Sequence, residues 1–99
     1  MGYYDALDET NYTDSVFKFK EFSANQKLKI LEANRKRNFG KIKSDVADDE
    51  YSELSGAPNA DDSPEIDHIL PKSKGGSNEY KNAQVTSRKY NNSKRAKSL

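Results

Sequence analysis

Ninety-nine residues, 32% hydrophobic and 33% charged, with a formal net charge of +1, suit one small domain with a thin core. There is no cysteine, which excludes disulfides, thiolate metal sites and cysteine nucleophiles. No apolar run reaches the length of a membrane span or a signal-peptide core, and Ala6 stands where the N-myristoylation pattern needs Ser or Thr, so a soluble chain is expected whose export would rely on something outside it. The charge is unevenly spread. Residues 1–64 hold 9 Lys/Arg against 13 Asp/Glu, a balance of −4, and residues 65–99 hold 8 against 3, a balance of +5. A basic C-terminal third fits a polyanionic partner such as nucleic acid, or simply a solvated lysine-rich tail.

In chain order, residues 1–22 carry the apolar anchors Val16, Phe17, Phe19 and Phe22, and Phe17 to Lys20 alternate as a half-exposed strand or docking arm would. Ser23 to Phe39 read as a helix. Ser23 caps it, Leu28, Leu31 and Arg35 mark one face with Ile30 and Ala33 beside them, and Gly40 stops it. Arg35, Lys36 and Arg37 complement the dipole at its end, and they also fit a phosphate-contacting patch. Residues 41–64 read as a linker-like loop with an acidic cluster (Asp45, Asp48, Asp49, Glu50), and Asp61 and Asp62 lack the spacing of a calcium loop, which makes a solvated loop the expectation there. Glu65 to Leu70 then form a short strand ended by Pro71. A polar loop around Gly75-Gly76 follows, then a second strand over Asn82–Thr86, and a helix from Ser87 to about Lys97 with Thr86 or Ser87 as its cap.

The only histidine, His68, follows Asp67 in this last stretch. Hydrolysis of a phosphodiester needs a base for water and a hard cation for the developing charge. Histidine suits the first task because it titrates near neutrality. A carboxylate and an amide oxygen suit the second, since Mg²⁺ prefers oxygen ligands. Asp67, His68 and Asn91 supply that set if the hairpin and the last helix face one another. Two poor helix formers in a row, Asn91-Asn92, call for a reason, and Lys94 shares a face with Asn91. Neighbours on a regular strand point to opposite faces, so Asp67 and His68 serve one site only if the strand ends, twists or bulges there.

The motif Asp67-His68-Ile69-Leu70-Pro71, with Ser73, Gly75-Gly76-Ser77-Asn78, Asn82, Asn91 and Lys94, resembles the HNH endonuclease family in its H-N-N form, over residues 65–97. The resemblance implies an α+β fold: a small ββα-metal core over 65–97 with an N-terminal helical and loop support over 1–64, all one domain. It implies a metal-dependent DNA endonuclease that leaves a 5′-phosphate and a 3′-hydroxyl. His68 would be the general base, Asp67 and Asn91 the metal ligands, and Asn82 the residue that holds the loop and orients the histidine. Lys94, with Lys72, Arg88 and Arg95, would contact nucleic acid. The cofactor would be one divalent ion, Mg²⁺ first, with Mn²⁺, Ni²⁺ or Zn²⁺ as alternatives.

Many members brace this core with a structural zinc held by two CxxC pairs. Here Ser52, Ser55, Ser87 and Tyr90 stand at the corresponding places, so packing by Tyr51, Leu54, Tyr80, Val85 and Tyr90 is expected to replace the metal. A module of this size without an evident sequence-reading domain also resembles the C-terminal nuclease of a bacterial polymorphic toxin, with DNA as substrate and an immunity protein as partner. A phage-encoded or restriction-type member would look the same. Two alternatives stay open: a non-catalytic nucleic-acid- or protein-binding module on the same fold, and an RNase.

Overall fold

The computed structural model describes residues 2–7 and 21–98, with the backbone alone for 95–98. The strand or arm expected around Val16 to Lys20 lies outside the described residues. Helix α1 spans Ala24–Arg37, strand β1 Pro64–His68, strand β2 Ala83–Ser87 and helix α2 Arg88–Ser98. The strands form a two-stranded antiparallel sheet with Ile66 opposite Val85, Asp67 opposite Gln84 and His68 opposite Ala83. Helix α2 packs on both strands and α1 packs on β2, which gives an α+β arrangement with a ββα unit at its C-terminal end. A two-stranded sheet is marginal by itself. Here every residue of β2 is buried, so the hairpin is stabilised by what encloses it.

Helix α1 begins with a capping box. Ser23 Oγ accepts from the Gln26 backbone N–H at 3.1 Å, and Gln26 Oε1 accepts from the Ser23 N–H at 3.0 Å. The helix ends at Arg37, short of the expected Phe39, with Asn38 as its C-cap, and Gly40 just beyond it, at φ 91°, donates its N–H to Arg35 O at 2.8 Å. The buried face differs from the expected one. Leu28 is 66% exposed, and the residues turned inward are Gln26, Ile30 and Asn34. Two of these are amides, and they tolerate burial because distant groups satisfy them. Asn34 Nδ2 donates to Lys43 O at 2.9 Å and to the Tyr4 hydroxyl at 3.1 Å, while its Oδ1 accepts from the Lys43 N–H at 2.9 Å.

Residues 41–63 are not a solvated linker. Lys43 bridges Glu53, Leu54 N donates to Ile42 O at 2.9 Å, and Leu54 is buried in the core with Tyr4, Phe22, Ile30, Tyr80, Ala83 and Val85. The acidic cluster divides. Asp48 and Glu50 are exposed, whereas Asp45 and Asp49 turn inward onto β2. The Asp45 side chain is 2% exposed. It accepts from the Val85 N–H at 2.7 Å and from the Tyr4 hydroxyl at 2.6 Å, and it is ion-paired with Arg37. Burial and then the Asp45 hydrogen bond push the Tyr4 phenol upward, so it stays protonated as a donor. Asp49 accepts from the Ser87 hydroxyl at 2.6 Å, the Ser87 N–H at 2.7 Å, the Ser44 hydroxyl at 2.7 Å and the Tyr51 N–H at 3.1 Å.

Among the residues expected to replace a zinc, Leu54, Tyr80 and Val85 are buried and Tyr51 and Tyr90 only partly so; much of the bracing is polar. The same loop also feeds α2. Ser63 O accepts from Arg88 N at 2.9 Å, Asp61 O accepts from Lys89 N at 3.0 Å, and Ser87 Oγ takes the Tyr90 N–H at 3.0 Å, which satisfies the first free donors of the helix.

Asp45→Ala leaves Arg37, the Tyr4 hydroxyl and the Val85 N–H without their shared acceptor. Arg37 is exposed enough to be re-solvated, so the cost in urea denaturation should come mainly from the Tyr4 hydroxyl and the Val85 N–H, at about 1–3 kcal/mol for each buried donor left unmatched. Burial raises the Asp49 carboxyl, but the hydrogen bonds from Ser87, Ser44 and Tyr51 outweigh it and hold the group below the usual carboxylate range. Its folded pKa is therefore below the unfolded one. Its contribution is complete above about pH 4 and is lost as pH falls through the depressed value. Denaturation midpoints measured downward from pH 5 should fall less steeply in Asp49→Asn than in the unaltered protein.

Candidate functional site

β1 ends at His68, and this resolves the strand-face problem: Asp67 and His68 both line one cleft of about 900 Å³, together with Asn91, Lys94, Lys72 and Arg88. The cleft lies between the end of β1, the loop after Pro71 and the first turns of α2. The Arg95 side chain lies outside the described residues. Asn82 is buried beside the cleft rather than in its lining, and its amide holds the loop: Oδ1 accepts from Leu70 N at 2.8 Å, and Nδ2 donates to Leu70 O at 3.0 Å and Ser77 O at 2.8 Å. Gly76 completes that turn, because a Cβ there would lie 1.8 Å from Leu70 O.

The hydrogen-bond partner of the histidine is Asn78, not Asn82. His68 Nε2 and Asn78 Oδ1 are 2.6 Å apart. An amide oxygen only accepts, so Nε2 carries the proton and Nδ1 keeps the basic lone pair. Asn78 is itself held from α1, since Gln26 Nε2 donates to its backbone carbonyl at 2.7 Å. Phe22 stacks on the imidazole at 4.4 Å with a 16° tilt and is 2% exposed. Burial lowers the His68 pKa, and Lys72 and Lys94 lower it further, against the Asn78 hydrogen bond and the Asp67 charge, which raise it. A neutral imidazole held in one tautomer is the form a general base requires.

Asp67 is nearly buried and accepts two hydrogen bonds on Oδ2, from Gln84 Nε2 at 2.8 Å and Lys94 Nζ at 2.7 Å. Lys94 Nζ also reaches His68 O at 2.6 Å and Ile69 O at 3.3 Å, so its ammonium sits among oxygens at the end of β1. Asn91 is 2% exposed. Its Nδ2 donates to Glu65 Oε1 at 2.7 Å, and its Oδ1 is the one buried side-chain polar atom without a hydrogen-bond partner among the described residues.

A family model described as HNH endonuclease matches residues 49–98, half of the chain. The chain belongs to the HNH endonuclease family. No curated protein and no solved structure gives a match. The HNH match begins at residue 49, ahead of β1, and so takes in Asp49 and the turn that fastens β2 as well as the hairpin and α2. HNH endonucleases are nucleases that generally use a divalent metal.

Sequence reasoning brought out His68, Asp67, Asn91 and Lys94 but did not single out four neighbours. Asn78 stood in the Gly-Gly-Ser-Asn motif and was not linked to the histidine. Gln84 follows from strand register, opposite Asp67. Glu65 was seen as the start of a strand, and Phe22 left no signal of a place beside the histidine.

The Nε2–H tautomer has a direct check. A long-range ¹H–¹⁵N correlation spectrum of the neutral protein should show Nδ1 of His68 as the unprotonated nitrogen. Asn78→Ala should mix the two tautomers.

Proposed function

We propose that this HNH chain is a metal-dependent DNA endonuclease in which His68 activates water and a divalent cation is held by Asp67 and Asn91. The observation that carries the reading is the Asn91 Oδ1 atom, a buried amide oxygen without a donor in the same cleft as the Asp67 carboxylate. A buried acceptor left unmatched is costly, and a cation is the partner that would repay it. The Lys94 ammonium among Asp67, His68 O and Ile69 O supports the same reading, because it marks this corner as favourable for positive charge. Among the described residues no three His, Cys, Asp or Glu side chains converge. The donor set is instead one carboxylate and one amide oxygen, which leaves phosphate and water to complete the shell, as Mg²⁺ prefers.

The residues then divide the work. His68 accepts the proton of the attacking water at Nδ1, with its ring fixed by Asn78 at one edge and by Phe22 on one face. Asn82 keeps the loop over Leu70 and Ser77 in shape. Lys72, Arg88 and Lys94 supply positive charge along the cleft for the phosphate backbone. The bound cation would neutralise charge on the phosphate and the leaving oxygen. A toxin setting with an immunity protein belongs to the same proposal and rests on the size of the module.

The test is plasmid cleavage in Mg²⁺ or Mn²⁺, with EDTA as control and RNA run alongside DNA. The expected outcome is nicking of DNA that EDTA stops and that His68→Ala abolishes without changing the circular dichroism spectrum. Retained DNA binding with no metal-dependent nicking would favour a binding module, and cleavage of RNA alone would favour an RNase. Asp67→Ala and Asn91→Ala should each weaken Mn²⁺ binding in calorimetry.

A further inference from the structure

The two ends of the Asn91 amide are treated differently. Nδ2 donates to Glu65 Oε1 at 2.7 Å, while Oδ1 meets no donor. A carboxylate offers only acceptors, so Glu65 binds one end of this amide and refuses the other. The flipped amide would set Oδ1 against Oε1 and leave Nδ2 unpaired in a buried place, two penalties at once. Glu65 is well placed for this task. It lies on β1 two residues before Asp67, hence on the same side of the strand, while Ile66 between them packs against the core. Its other oxygen, Oε2, has Arg88 Nε at 3.9 Å, and all of these residues line the same cleft.

We propose that Glu65 is a positioning residue that fixes the orientation of the Asn91 amide, so that the oxygen and not the nitrogen is presented to the cation. The proposal rests on the reading of Asn91 as a metal ligand given above. Glu65 acts through Asn91. It is distinct in this from a third ligand, and from a negative charge that attracts cations at a distance.

Those roles predict different sizes of effect in one experiment. Mn²⁺ affinity is measured by calorimetry for the unaltered protein, Glu65→Gln, Asn91→Asp, the double variant and Asn91→Ala. With asparagine at position 91, Glu65→Gln allows either amide orientation and should weaken Mn²⁺ binding about 10- to 100-fold, the usual effect of losing a partner behind a metal ligand. With Asn91→Asp, both oxygens at position 91 are equivalent and need no orienting, so Glu65 contributes only its negative charge near the cation. In that background Glu65→Gln removes only a nearby negative charge and should weaken Mn²⁺ binding clearly less than it does with asparagine at position 91. Weakening with Asn91→Asp as large as with asparagine, or no change in either background, overturns the orienting role while leaving Asn91 as a ligand if Asn91→Ala weakens binding. Unchanged affinity in Asn91→Ala overturns the ligand reading and this proposal with it.

A measurement on the unaltered protein guards against a variant that fails to fold. During a Mg²⁺ titration, the Asn91 side-chain NH₂ pair should keep the downfield signal of a hydrogen bonded to carboxylate. Its shift to the position of a free amide would overturn the proposal.

Discussion

The Asp45 carboxylate is where three parts of this chain hold one another. It takes the phenol of Tyr4 from the N-terminal residues, the guanidinium of Arg37 from α1 and the backbone N–H of Val85 from β2. A charge this deeply buried is destabilising by itself, and it is tolerated because each oxygen is matched by donors. Asp49 does the same for Ser87 at the junction of β2 and α2. Ser87 is one of the positions where the sequence resemblance would lead one to expect a zinc-binding cysteine. In this chain a carboxylate fastens that position from across the loop, and the hydrophobic cluster of Leu54, Tyr80 and Val85 fills the space behind it.

The cleft follows from that bracing. With β2 fixed, register sets Gln84 opposite Asp67 and ends β1 at His68, where the next carbonyls turn toward α2. Oxygen atoms therefore gather at one corner, the Asp67 carboxylate, His68 O and Ile69 O, and Asn91 with its unmatched Oδ1 lines the same cleft. Lys94 lies in that corner, with its ammonium against Asp67 and the two carbonyls. Its ammonium keeps Asp67 paired, so the carboxylate does not bear the full cost of burial alone.

Much of this was legible in the sequence, and what was not has a common cause. Ser23 and Gly40 marked α1 because caps act over three or four residues. His68, Asp67 and Asn91 stood out because their chemistry is rare in a polar chain. The inward face of α1 was missed because hydrophobic spacing sees Leu28 and overlooks Gln26 and Asn34, whose burial depends on partners 9 to 52 residues away. The acidic loop was misread for the same reason. Asp45 and Asp48 are indistinguishable in local composition, and only a partner 40 residues distant, Val85, makes one of them structural. Asn78 and Phe22 likewise acquire meaning once the loop and the N-terminal residues close on the histidine.

Gln26 carries a consequence of its own. One side chain closes the capping box of α1 through Oε1 and holds Asn78, the partner of His68, through Nε2. Helix initiation and the alignment of the base thus share an amide. The N-terminal support is not an exchangeable handle in such a design. A graft that replaced α1 with another well-capped helix would preserve the scaffold and still remove the Gln26 hydrogen bond to the histidine's clamp.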